Sequence, residues 1–228
     1  MKKATLSFAL FTLLTGLAFG QSRVLVYTGN DSFLIAEPQA FNRLGSQLAL
    51  SGLTTDVTTA FPSDLSNYRC VFLPINQENF TDAQKEALFF FVYGGGNVIA
   101  AGEWAVVPRT NPVMNDLASY MGVDMSITTD QFDCGCRTTA QVNSHYTTTF
   151  VNSVRFACVS RLNVGPSATR LLSSEPSQVP FIGVQQLGFG YFFLTSECSV
   201  FVDPCFEGTL DNHILIHNVC TLYPPLEG

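Results

Sequence analysis

Residues 23–29, RVLVYTG, form a continuous apolar run that closes on a glycine, the pattern of a parallel strand buried on both faces. The stretch after it keeps alternating between strand and helix. Asn30, Asp31 and Ser32 make a polar loop, then Phe41, Leu44 and Leu48 recur at helical spacing until Gly52 ends the helix. Residues 54–59, rich in Thr and Val, predict a second strand, and residues 70–75 predict a third. Thr81 and Gln84 form a capping box that opens a helix through Phe91, which stops at Gly94, Gly95 and Gly96. Residues 97–101 give a fourth strand. Asn111 followed by Pro112 predicts an N-cap with proline at the first helical position, and that helix ends near Gly122. This alternation excludes an all-helical bundle and an antiparallel sandwich. It predicts an α/β domain with a mainly parallel sheet, helices on both faces, and the first, third and fourth strands adjacent.

The second half has a different texture. Residues 125–175 are rich in Thr, Ser, Asn and Cys and lack helical periodicity, so they predict a β/loop insertion. Strands follow at residues 179–184 and 190–195, joined by a turn built on Gly188 and Gly190. A closing helix over residues 211–222 places Ile214, Leu215 and Val219 on one side. No internal repeat is present.

The chain opens on Met1, Lys2 and Lys3, then an apolar run to Phe19 and small residues before Gln21. That is the layout of a secretory signal peptide over residues 1–20, with a membrane anchor as the alternative; the run is short for a span. Residues 21–228 then form a single domain that is secreted or periplasmic. The formal net charge is −7, and becomes −9 once Lys2 and Lys3 are removed. No basic cluster offsets it, which argues against nucleic acid as a partner. All seven cysteines fall in the mature part, where an oxidising compartment favours disulfides. Cys70 opens an apolar strand and is expected as a buried free thiol. Cys134, Cys136, Cys158, Cys198, Cys205 and Cys220 are expected to form three bridges, in any of about 15 connectivities.

These pieces resemble the class I glutamine amidotransferase-like superfamily, a flavodoxin-like α/β layout. The likeness rests on residues 23–29 with their polar loop, on the glycine-ended helix feeding residues 97–103, and on residues 188–194 with Val200, Asp203, Asp211 and Asn218 after them. In catalytic members a cysteine stands at a sharp elbow after the strand matching residues 97–101, beside a His and amides that stabilise the oxyanion. Here the elbow carries Gly102 and Glu103, and Thr195, Ser196 and Glu197 stand where the late strand should deliver the His. The resemblance therefore implies the fold without the usual amidase chemistry.

Ligands of open parallel sheets collect beyond the carboxyl ends of the strands. The first strand delivers Asn30 and Asp31 there, the third Asn76 and Gln77, and the fourth Glu103 and Trp104. Two carboxylates, several amides and the chain's single Trp suit a polyhydroxyl ligand. The competing reading is that Asn30 and Asp31 cap their loop and Trp104 packs in the core. His213 and His217, four apart on the closing helix, share a face and form a weak zinc candidate without the neighbouring Glu of a metallopeptidase helix. A solvated helix face is the favoured explanation of the pair, and no cofactor is expected. The leading expectation is a secreted non-catalytic domain that binds a small polar or carbohydrate ligand or a surface protein. A hydrolase using Asp31 and Glu103 on sugars or amides and a structural envelope component are the alternatives.

Overall fold

The computed structural model describes residues 22–34, 36–103, 107–202, 206 and 210–221. Its centre is a seven-stranded sheet in the order β2-β1-β3-β4-β11-β10-β9. The parallel part consists of β1 (Arg23–Tyr27), β2 (Thr54–Thr58), β3 (Tyr68–Pro74), β4 (Asn97–Ala101) and β11 (Gly190–Thr195). Five parallel strands in this order make the flavodoxin-like layout. Two antiparallel strands extend it, β10 (Pro180–Leu187) and β9 (Thr169–Ser173).

Side chains alternate across the sheet with the strand period of two, and this divides the core. Val24, Val26, Cys70, Phe72 and Ile99 face one cluster, which α1 (Asn42–Leu50) enters with Leu44 and Leu48, and α4 (Asn212–Thr221) with Leu215, Ile216 and Val219. Leu25, Val71, Leu73, Val98 and Ala100 face the other. There α2 (Asp82–Tyr93) supplies Leu88 and Val92, and α3 (Thr110–Tyr120) supplies Val113, Met114 and Leu117. Helices thus cover both faces. Phe72 packs edge-on against Phe41 and Phe201, with ring centroids 6.3 and 5.6 Å away. Truncating such a fully buried ring to Ala costs about 3–5 kcal/mol.

The capping box at α2 is formed: the Gln84 amide donates to Thr81 Oγ1 at 3.2 Å, and the Thr81 amide donates to Gln84 Oε1 at 2.9 Å. The start of α3 differs from expectation. The helix begins at Thr110, so Asn111 lies inside it and is not the N-cap. Its side chain is used elsewhere, as described below.

In the second half, β5 (Met125–Ile127) pairs with β8 (Leu162–Val164), and β6 (Arg137–Thr139) with β7 (Val154–Phe156). A disulfide joins Cys134 to Cys158 across 24 positions, beside the isolated bridge between Phe132 and Val159. The segment read as an insertion also supplies β9, an edge strand of the main sheet, so its end is part of the scaffold. Helix α4 ties the remainder down. Asn212 Nδ2 donates to Arg155 O at 2.8 Å and Val200 O at 2.9 Å, and Asn218 Nδ2 donates to Thr147 O and Thr149 O.

Cys70 is a buried thiol. Cys198 and Cys220, expected in bridges, are also buried thiols here, because both sit in the packed core and not in the loop-rich insertion. Cys136 is exposed and Cys205 lies outside the described residues. Among the described residues no helix is long and apolar enough to cross a membrane.

Candidate functional site

The loops after β1, β3, β4 and β11 meet at one edge of the sheet, and three residues there hold left-handed backbone: Asn30 (φ 51°), Asp31 (φ 50°) and Ile75 (φ 48°). Asn and Asp tolerate that region through their short polar side chains. A β-branched Ile does not, so its conformation is imposed by its surroundings. The Ile75 amide donates to Ala101 O at 2.9 Å and its carbonyl accepts from Phe33 N at 3.0 Å. These bonds hold the strained turn in place directly before Asn76 and Gln77.

Asn30 and Asn76 are fasteners of this edge. Asn30 Oδ1 accepts from the Tyr27 hydroxyl at 2.6 Å, while its Nδ2 donates to Asn79 O at 3.1 Å. Asn76, fully buried, donates through Nδ2 to Gly29 O at 2.7 Å. Its Oδ1 is buried without a protein partner. Gln77 Nε2 donates to Asp31 O at 3.1 Å, and the Asp31 side chain is exposed.

At the end of β4 the elbow is closed. A Cβ on Gly102 would stand 2.4 Å from Asn111 Oδ1 and 2.6 Å from Ile127 Cδ1, so close packing requires glycine there. Glu103 is only 8% exposed, and its amide donates to Asn111 Oδ1 at 3.0 Å. Trp104 lies outside the described residues.

The loop after β11 brings a second carboxylate and a thiol to this edge. Glu197 is fully buried and accepts from the Ser199 amide at 2.7 Å, the Cys158 amide at 3.2 Å and the Ser199 hydroxyl. Burial outweighs these bonds and pushes its pKa up to about 7. Cys198 is also fully buried. Burial first, then the charges of Glu103 and Glu197, push its thiol up. A thiol held protonated and out of solvent is a poor nucleophile.

What remains open is a cleft of about 350 Å³ lined by Gln77, Glu78, Asn79, Pro108, Arg109, Pro112 and Val113. One wall is the loop after β3; the other is the first turn of α3. Of the residues expected at a ligand site, Gln77 lines this cleft, whereas Asn30, Asn76 and Glu103 form the framework behind it. The sequence does not single out Arg109, and it reads Asn111 as an N-cap, Glu197 as part of the run standing in place of the late-strand His, and Cys198 as a disulfide partner, not as residues of this edge. The signal for Arg109 was available: a cation just before a proline-marked helix start is electrostatically unfavourable for the helix and so calls for another reason.

His217 Nδ1 lies 2.5 Å from Ser51 Oγ, and His213 Nδ1 lies 2.9 Å from Leu210 O. Both rings are thus engaged with groups other than each other. Among the described residues no three His, Cys, Asp or Glu side chains converge as metal ligands.

No known protein-family model matches the chain, and no curated protein matches it in sequence. Solved structures do match its fold. The mmIFT52 N-terminal domain aligns with a TM-score of 0.68 at 16% identity, covering 85% of this chain and 93% of its own. A β-galactosidase from Bacillus circulans sp. alkalophilus aligns at 0.61 and 14% identity, covering 88% of this chain but 31% of the enzyme. The likeness therefore concerns one part of that protein. A putative GMP synthase component from Thermoplasma acidophilum aligns at 0.53 and 11% identity over 88% and 92% of the two chains. At these identities the shared property is the fold alone.

Proposed function

We propose that this chain is an exported, non-catalytic domain of amidotransferase-like fold that binds a small polar or carbohydrate ligand in the cleft between the β3 loop and α3. The observation that carries the reading is the contrast at the sheet edge. The elbow holds a buried carboxylate, Glu103, where nucleophilic chemistry needs an exposed group, while Gln77, Glu78, Asn79 and Arg109 line an open cleft beside it. Amide and guanidinium donors with one carboxylate acceptor match the alternating donors and acceptors of a sugar or hydroxy acid. The cleft volume is at the small end of the range for ligand sites. The partial match to a β-galactosidase supports a carbohydrate as the first class to screen.

The test is a screen of glycans and polar metabolites against the oxidised mature protein by thermal shift, followed by calorimetry. A hit whose affinity falls in Arg109→Ala and Gln77→Ala supports the reading. Hits indifferent to both substitutions would place the ligand elsewhere. No hits at all would favour a structural envelope component or a protein partner. The hydrolase reading through Asp31 and Glu103 requires both carboxylates to reach one substrate, and Glu103 is buried in the closed elbow and does not line the cleft.

A further inference from the structure

Cys70 and Cys220 are about 150 positions apart in sequence and meet in the core. Cys70 sits near the start of β3, opposite Val24 of β1 and Asn97 of β4. Cys220 is the penultimate residue of α4. Both are fully buried, and the neighbouring Cys70 is among the causes, after burial itself, that push the Cys220 thiol up. Two further contacts bracket the pair. Asn97 Nδ2 donates to Val219 O at 2.6 Å, and the Arg69 guanidinium donates to Thr221 O. The chain neighbour and the ladder neighbour of Cys70 therefore grip the residues on either side of Cys220, and regular structure brings the two cysteines together.

We propose that Cys70 and Cys220 are a redox-active pair that closes to a second disulfide and locks α4 onto the central strand β3. The oxidant is a disulfide such as oxidised glutathione. One thiol loses its proton and attacks that disulfide, giving a mixed disulfide and releasing one glutathione thiolate. The second cysteine, deprotonated in turn, attacks the cysteine sulfur of the mixed disulfide, forming the Cys70–Cys220 bond and expelling the second thiolate. Two electrons pass from the protein to the oxidant. Because both sulfurs are buried in the folded chain, the exchange takes place before α4 docks, and reduction afterwards is slow. The consequence extends past the helix. Asn212 and Asn218 of α4 hold Arg155, Thr147, Thr149 and Val200, so a bridge at its end also secures the insertion.

The test uses the full mature chain refolded in a glutathione redox buffer, alkylated, digested without reduction and mapped by mass spectrometry. The expected result is a cross-linked peptide pair containing Cys70 and Cys220, in addition to the Cys134–Cys158 pair. In a Cys134→Ser/Cys158→Ser background, chain refolded under reductant should have a Tm roughly 10 °C below that of chain refolded in the redox buffer, as expected for a bridge closing a long loop. That shift should vanish in Cys220→Ser. Finding both cysteines alkylated after denaturing the oxidised protein, or either one joined to Cys198, would overturn the proposal. Mapping of the wild-type chain decides the matter even where a serine variant does not fold.

Discussion

Asn111 Oδ1 accepts the backbone N–H of Glu103 at 3.0 Å, and the same side chain donates through Nδ2 to Thr128 O at 3.0 Å. One amide thus ties the β4 elbow to the strand–loop that leaves β5. It also stands over Gly102, where a side chain has no room. Asn111→Ala leaves the buried Glu103 amide without an acceptor, a cost of about 1–3 kcal/mol. Urea denaturation should show that loss, with the m-value unchanged because the surface exposed on unfolding is the same. Asn111→Asp keeps the acceptor but loses the bond to Thr128, and should fall between Ala and wild type at high pH. A loss below about 0.5 kcal/mol in Asn111→Ala would show that the elbow is held by other contacts.

The parallel half was readable because local and global preferences agree there. Residues 24–29 and 97–101 are buried on both faces, so they appear as largely apolar runs, and Thr81 with Gln84 signals a helix start through chemistry confined to four residues. Asn111 was misread for an informative reason. Asn before Pro is a common cap, and only the tertiary position of Glu103 reveals that its amide is taken. The second half resists reading because its order comes from distant partners: Asp133 accepts from the hydroxyls of Ser174 and Ser177 at 2.5 and 2.8 Å, and Asn218 reaches back to Thr147. The sequence gathers Asn30, Asp31, Asn76, Gln77 and Glu103 beyond the carboxyl ends of β1, β3 and β4, and the structure places them there. It does not reveal that Asn30 and Asn76 spend their amides on their own loops, nor that the open wall belongs to α3.

The bridge between Cys134 and Cys158 should stabilise the insertion more than the sheet. A loop of 24 positions closed by a disulfide contributes about 3 kcal/mol in the chain-entropy account. In Cys134→Ser/Cys158→Ser, limited proteolysis should cut first within residues 128–160, ahead of any site in β1, β3 or β4. Hydrogen exchange should show the Phe132 and Val159 amides losing protection, since each donates to the other's carbonyl at 2.7 and 3.1 Å. Uniform loss of protection across the sheet would mean that the insertion and the sheet unfold as one unit.

A buried and a half-buried group give opposite pH dependences. Glu197, raised from 4.5 to about 7, keeps its proton in the folded chain after the unfolded chain has lost it. Its contribution is therefore full below pH 4.5 and is lost as pH rises to about 7. His145 is lowered by burial from 6.5 to about 4, with the rings of Tyr146 and Tyr191 centred 4.5 and 5.7 Å away. It stays neutral when folded, so stability is retained above pH 6.5 and lost as pH falls towards 4. The wild-type profile should be nearly flat where the two overlap. His145→Asn keeps a side-chain acceptor for Thr147 and should expose the Glu197 limb, a decline with rising pH of at most about 1.4 kcal/mol per unit. Glu197→Gln should leave the opposite slope, shallower because solvent screens the partly exposed imidazole. Chemical denaturation at closely spaced pH values measures both; parallel profiles in the two variants would contradict the assignment.

Glu103 and Arg109 should separate framework from ligand contact. Arg109 is exposed at the cleft, and Glu103 lies behind it in the closed elbow. For any ligand found by the screen, Arg109→Ala should weaken binding by about 1.5–3 kcal/mol, as expected for the loss of a charged hydrogen-bond partner, with a Tm change under about 2 °C. Glu103→Gln preserves shape but removes a charge that raises the pKa of Cys198. It should therefore leave affinity within about twofold while making Cys198 easier to alkylate once the chain is partly opened by denaturant. Neither the wild type nor either variant should release ammonia from glutamine, since the elbow offers no thiol and Cys198 is sealed in the core. A wild-type glutaminase activity abolished by Glu103→Gln would reverse this assignment and make the elbow the active site.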